Sequence, residues 1–366
     1  MAKTKGNTPD ANGVSNKLLQ KLIGASSSKL TSQLSESVVM NEKDMIQTAI
    51  PVINIALSGS LNGGLVPGLL LLAGPSKHFK TLFMLIMMKA YLDKYPEAVG
   101  YLFDSEFGAA KSYFASVGID ERRVVHCPIT DIEELKHEAI NALEAIERGE
   151  KVFFGIDSVG NLASKKEVED AKDGKSVADM TRAKAFKSFG RMVTPHLTLK
   201  DVPMVAVGHT YQTMEMFSKS VVSGGTGLYY SANDIWIIGR QQEKSTSGNK
   251  ELLGFNFTIN IEKSRNVKEK SKINVTVLRE GGISRYTGIR ELAEEFGILS
   301  GDNKSGFYIE GDETKYKEAQ LEPFYEKLLS DAEFNDFVRS KYKLQHGALI
   351  NNNVPEQEYE EEEIDD

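Results

Sequence analysis

The sequence sets a lysine and a hydroxyl side by side at a turn suited to chemistry on phosphates. Residues 74–81 read GPSKHFKT and join the apolar run LLLLA to a second apolar stretch that ends near residue 90. Strand, loop and helix in that order, with Lys-Thr opening the helix, is the context a phosphate-binding loop requires. Gly74, Pro75, Ser76, Lys77, His78 and Phe79 form the loop, and its backbone N–H groups, which Pro75 lacks, would surround phosphate oxygens, aided by the helix dipole. Lys80 would reach the β- and γ-phosphates of ATP, and the Thr81 hydroxyl would ligate Mg²⁺. The common pattern has Gly where this chain has Phe79. The competing reading is an ordinary strand–turn–helix with an incidental Lys-Thr pair. With no nucleotide bound, Lys80 is expected to face solvent, so that its loss should cost little stability.

Two further apolar runs end in acids. KVFFGID closes on Asp157, which is placed to hold Mg²⁺ at the carboxyl end of a buried strand. An aspartate there also serves as a helix N-cap. YLFDSEFG carries Asp104 and Glu106. A carboxylate at that point can take a proton from an attacking water. Glu106 is the expected base because its side chain must project past the strand end; Asp104 is the competitor, with capping as its alternative role.

These residues need a scaffold, and the patterning supplies one. Strands are predicted at 69–73, 98–103, 123–126, 151–156 and 203–207, with helices at about 80–94, 109–117, 131–148 and 178–199 between them. Alternation of this kind, with near-continuous apolar strands, predicts an α/β fold whose mostly parallel central sheet is covered on both faces. Beyond residue 230, segments 235–241, 255–264 and 272–280 alternate with period two and are expected to extend the sheet as antiparallel strands. Residues 1–15 are polar and expected to be disordered. Residues 16–50 form an N-terminal element in which two short helices are predicted over 16–36, with an apolar face that must pack on something. The core spans 51–288, a small helical unit 289–346, and an acidic disordered tail 347–366.

Composition narrows the function classes. The 366 residues are 40% hydrophobic, with no apolar run of 18 and no signal-peptide pattern at the start, so a cytoplasmic protein that binds no membrane is expected. A single cysteine, Cys127, excludes an internal disulfide and a Cys-based zinc finger; its apolar neighbours predict a core position. The net charge of −8 is misleading for nucleic-acid binding, because the last eleven residues, EQEYEEEEIDD, hold eight acids. The body without them is neutral and can carry a basic face. The tail itself is expected either to aid solubility or to act as an internal DNA mimic.

Taken together, GPSKHFKT, FDSEFG, GIDSVGNLASKKE, VGHTYQTMEMFSKSVVSGGTG and IEKSRNVKEKSK resemble, in order and spacing, the UvsX-type phage recombinases of the RecA family. The Phe before the loop lysine is shared with that group. The resemblance runs from about residue 17 to 300 and implies a RecA-type P-loop ATPase core with small helical N- and C-terminal elements. It implies ATP and Mg²⁺ as cofactors, and a helical filament on single-stranded DNA that pairs it with homologous duplex DNA and exchanges strands. Single-strand-binding and loader proteins are implied as partners.

Position by position, the resemblance implies that Glu106 is the catalytic base, Asp157 the Mg²⁺-associated acid and Tyr113 the aromatic stacked on adenine. It implies that His209 senses the γ-phosphate and links ATP state to DNA binding. Ala110 stands where bacterial relatives carry an acid against the base. Lys263 and Arg265 match a pair that reaches the ATP of a neighbouring subunit. Two segments match the family's DNA-binding loops. The first carries Lys165 and Lys166 and has too little apolar content to pack; Arg182, Lys184 and Lys187 come next, on the adjoining helix. The second, 210–227, offers Tyr211, Phe217, Lys219, Gly224 and Gly225. Basic side chains there would neutralise phosphates and aromatic ones stack on bases. Arg182, Lys219, Gly224 and Gly225 are the expected direct contacts. A hexameric helicase motor on the same core, or a DNA-binding mediator with a relic ATP site, are the rival readings.

Overall fold

The computed structural model describes residues 13–344 except 42, 109, 175–179, 213–219, 223–224 and 245–250. Helix α1 (Gly13–Gly24) is succeeded by a single 3-10 turn at Leu34–Glu36 and by α2 (Pro51–Ser58). The second helix expected before residue 36 is therefore only that turn. Ser26 and Ser28 explain the break: Ser26 Oγ bonds Thr31 Oγ1 at 2.7 Å and accepts the Ser28 N–H, a local alternative to helix. Leu18, Leu22 and Leu34 are 61%, 64% and 73% exposed, so the apolar face of this arm is open.

The alternating region then runs β1 (Gly68–Ala73), α3 (Lys80–Lys94), β2 (Val99–Asp104), α4 (Lys111–Val117), β3 (Val124–Pro128), α5 (Ile132–Ala145), β4 (Val152–Asp157), α6 (Lys165–Lys172), α7 (Thr181–Lys200) and β5 (Pro203–Gly208). Strands β6 (Thr210–Gln212) and β7 (Ser220–Val222) pair antiparallel ahead of α8 (Gly225–Ser231). The strands β8 (Asp234–Lys244), β9 (Leu252–Lys263), β10 (Lys272–Leu278) and β11 (Gly282–Ile283) come next. The chain continues through α9 (Ile289–Phe296), β12 (Leu299–Asp302), β13 (Gly306–Ile309), α10 (Glu322–Ser330) and α11 (Ala332–Tyr342).

Among the described residues one nine-stranded sheet has the order β11-β10-β9-β8-β1-β5-β4-β2-β3. Strands from β8 to β3 in that order are parallel, and β8 to β11 extend the sheet antiparallel. The architecture is the expected α/β, RecA-type one. Strand β1 shows why so apolar a run is needed. Leu69, Leu71 and Ala73 join the core under α5 and α7, while Leu70 and Leu72 join the one shared with α2 and α3. Each such leucine contributes on the order of 2 kcal/mol by burial.

Three local expectations are corrected. Edge strand β3 is largely exposed, with Val125 at 44%, and Cys127 is half-buried against the α5 side rather than a core residue. The first of the two segments expected to be loops contains helix α6. It buries none of its residues and is held by its start, where Ser164 Oγ accepts the Glu167 N–H at 3.0 Å, and by the Lys166–Asp170 ion pair at 2.9 Å. The C-terminal unit is not purely helical: β12 and β13 form a hairpin whose turn is tied by Asp302, which accepts the N–H groups of Lys304 and Ser305. Its last stretch is two helices, because Asp331 accepts the Phe334 N–H at 2.8 Å and starts α11 afresh. This unit packs into the same apolar cluster as the sheet, through Phe307, Phe334 and Tyr342. No helix among the described residues is long and apolar enough to cross a membrane. The acidic tail lies outside the described residues.

Candidate active site

Parallel register sets four strand ends side by side. Ala73 pairs with Gly208, Val207 with Asp157, and Asp157 with Asp104. The loops leaving these strands therefore open at the carboxyl edge of the sheet, where ligands of open α/β folds bind. A cleft of ≈ 330 Å³ lies there, lined by residues 76–81, Glu106, Tyr113, Asp157 and His209 among others. The loop residues, Glu106, Tyr113, Asp157 and His209 are thus brought together there, as the sequence led one to expect.

The loop 74–81 is braced from behind. Gly74 has no room for a side chain, since a Cβ would fall 2.8 Å from the Ile238 carbonyl oxygen. Phe79, directly before α3, has φ 55°. The left-handed region costs a non-glycine residue about 1–2 kcal/mol, which is why glycine is the common choice. Here the ring compensates by packing 4.8 Å from Phe257, which also meets Phe83 and Phe255. Arg240 completes the brace, lying 4.7 Å over Phe255 and donating to the Lys77 carbonyl at 3.0 Å.

Lys80 does not face solvent as expected. It is 5% exposed, and its ammonium donates to the carbonyls of Gly74 at 2.9 Å and Pro75 at 2.7 Å. Burial lowers its pKa from the usual lysine range, with Glu106 and Asp157 opposing. Lys80→Ala should therefore destabilise the nucleotide-free protein. Each carbonyl that stays buried without its donor costs about 1–3 kcal/mol, offset in part by relief of the lysine's desolvation, so a loss of about 1 kcal/mol in urea unfolding is expected. An unchanged midpoint would contradict this clasp.

Asp157 is 5% exposed, with one carboxylate oxygen accepting from Thr81 Oγ1 at 2.8 Å and the other, Oδ1, buried without a hydrogen-bond partner. An orphaned carboxylate oxygen beside a hydroxyl fits a hydrated Mg²⁺, which takes one or two protein oxygens and completes its shell with water and phosphate. Among the described residues no cluster of three or more His, Cys, Asp or Glu could hold a metal. Burial pushes the Asp157 pKa up to about 6, against the hydrogen bond from Thr81. The folded state thus holds a proton that the unfolded chain releases above about pH 4, so stability falls as pH rises from about 4 to 6. Asp157→Asn should remove that fall and stabilise the nucleotide-free protein at about pH 7.5 by on the order of 2–3 kcal/mol, with little effect at about pH 4. Denaturant titrations of both proteins at the two pH values check it.

Glu106 sits where two partners converge on one oxygen. Ser158 Oγ donates to Oε1 at 2.6 Å, and His209 Nε2 lies 3.1 Å from the same atom. The other candidate base, Asp104, is 5% exposed and already committed. Its Oδ1 accepts the N–H groups of Glu106 and Phe107, and its Oδ2 lies 3.1 Å from His126 Nε2. Asp104 shapes the turn that presents Glu106.

The remaining expected residues lie elsewhere. Lys165 and Lys166 are exposed on α6, and Lys184 is exposed on α7. Arg182 is instead engaged with carbonyls of its own chain. Tyr211 lies in β6 and Gly225 opens α8, while Phe217, Lys219 and Gly224 lie outside the described residues. Lys263 and Arg265 do not line the cleft. Lys263 Nζ donates to the carbonyls of Tyr229, Tyr230 and Ala232 at 2.7–3.2 Å, closing the C-terminal end of α8. Sequence reasoning missed Ser158 and Arg240. A hydroxyl directly after the strand-end Asp157 was a usable signal for the first. Nothing in the sequence marks the second, because β8 meets the loop only through the fold.

No protein-family model matches the chain. The chain is 46% identical over 357 residues to the recombination and repair protein of Enterobacteria phage T4, covering 94% of this chain and 90% of that one.

Proposed function

Since the chain belongs to the family of the phage T4 recombination and repair protein, we propose that it is a UvsX-type recombinase of the RecA family. It would be a DNA-dependent ATPase that assembles as a helical filament on single-stranded DNA, pairs that strand with homologous duplex and exchanges strands. The observation that carries the reading is the convergence of Lys80, Thr81, Asp157, Glu106 and His209 on one cleft, at the carboxyl edge of the parallel strands where ligands of open α/β sheets bind.

The chemistry is phosphoryl transfer to water. Lys80 exchanges its two loop carbonyls for phosphate oxygens when ATP enters, and the loop N–H groups hold the β-phosphate. Glu106 orients the attacking water and takes its proton, the water oxygen bonds the γ-phosphorus, and ADP leaves. His209 and Ser158 fix the carboxylate in place, and Tyr113, on the cleft wall, would stack on the base. Mg²⁺, held by Thr81 and Asp157, would neutralise charge on the β- and γ-phosphates. Exposed Leu18 and Leu22 on α1 give self-association an apolar surface. Exposed Lys165 and Lys166 on α6 and Lys184 on α7 would neutralise DNA phosphates.

Phosphate release measured with and without single-stranded DNA tests the reading. Hydrolysis that requires Mg²⁺ and rises when DNA is added is expected; no hydrolysis under either condition would leave only a DNA-binding mediator.

A further inference from the structure

Arg182 stands in the first turn of α7, directly after the first segment expected to contact DNA, yet its side chain turns inward. Its Nε donates to the Leu162 carbonyl at 2.6 Å and its Nη2 to the Gly160 carbonyl at 2.9 Å. The guanidinium lies 5.2 Å from the centre of the Phe186 ring, which is fully buried. The backbone it grips is the continuation of Asp157-Ser158. Gly160 packs close against the His209 ring, and a methyl group there would fall 2.3 Å from His209 Cδ2. His209 in turn contacts Glu106 Oε1, as does Ser158 from the start of the same segment.

We infer that Arg182 is a positioning residue for ATP hydrolysis. It holds the 159–162 backbone against His209, so that His209 and Ser158 together keep the Glu106 carboxylate oriented. Helix α7 follows the segment that carries α6, and a shift of α6 on DNA would move the Arg182 clamp and, through Gly160, the base. The route is backbone and van der Waals contact ending in one hydrogen bond. It needs no contact between Arg182 and DNA. The inference rests on the reading of Glu106 as the base.

The test uses Arg182→Lys and Gly160→Ala in the full chain. Lysine keeps the charge but cannot bridge both carbonyls from one planar fork. The methyl of Gly160→Ala displaces the His209 ring directly. At saturating single-stranded DNA each should lower kcat for ATP by about 10–100-fold, the scale of a misplaced catalytic group. KM for ATP, DNA affinity and its salt dependence should stay as in the parent. In a His209→Ala background the loss caused by Gly160→Ala should vanish, because the ring it displaces is gone. Additive losses would overturn the route through His209. Arg182→Ala with parental kcat at saturating DNA, weaker DNA binding and a salt slope reduced by about 1 would make Arg182 a phosphate contact and overturn the inference. If Glu106→Gln loses hydrolysis while Arg182→Lys does not, only this inference fails; if Glu106→Gln hydrolyses normally, the reading of the site fails with it.

Discussion

Glu106→Gln should bind ATP as tightly as the parent and hydrolyse it about 10²–10⁴-fold more slowly, the usual contribution of a positioned general base. The amide keeps an oxygen to accept from Ser158, so the local geometry survives while the basicity is lost. On the proposed reading, in which hydrolysis drives release, assemblies on DNA should then persist instead of turning over. Asp104→Asn gives the internal comparison. Its carboxylate holds the turn through the N–H groups of Glu106 and Phe107, a task the Asn oxygen can share, so hydrolysis should fall far less. Equilibrium nucleotide binding and single-turnover hydrolysis separate the two steps. Parental turnover in Glu106→Gln together with loss in Asp104→Asn would reverse the assignment.

The second large effect concerns residues outside the cleft. The double variant Lys263→Ala, Arg265→Ala should bind ATP through its own loop yet hydrolyse it about 10³–10⁵-fold more slowly, as when a cation supplied in trans is removed. Lys263 has three carbonyls at the end of α8 as its partners within the chain, so reaching a neighbour's ATP means leaving them. That exchange would connect the subunit interface to α8 and to the segment before it. Arg265→Ala alone leaves the α8 contact intact and should still lose most of the rate. Mixing the double variant with Lys80→Ala subunits should restore part of the hydrolysis, because each supplies what its neighbour lacks. No restoration in mixtures shown to co-assemble would count against a shared site.

The strand ends and their acids are legible in the sequence because buried parallel strands announce themselves as apolar runs, and the chemistry begins where those runs stop. LLLLA, YLFD and VFFGID need no tertiary information. Phe79 shows the limit. Its departure from glycine looks like a defect until Phe257, far along the chain, appears beneath the ring. Lys80 departs from expectation for a related reason: the loop curls back so that its own carbonyls satisfy the ammonium. Helix α6 escapes a reading based on apolar content, although Ser164 and Glu167 spell an N-terminal cap. Caps and ion pairs can hold a short exposed helix without a core. The charge of Arg182 and its place in the order suggest a DNA contact, whereas the fold directs it at Gly160 and Leu162.

An ATP-dependent filament is most directly tested by imaging it. Electron microscopy of the protein with single-stranded DNA, Mg²⁺ and a slowly hydrolysed ATP analogue should show open helical filaments whose length scales with that of the DNA. An interface repeated with a screw rotation produces that form. Closed rings of fixed size under the same conditions would contradict the filament and point to a hexameric motor on the same core.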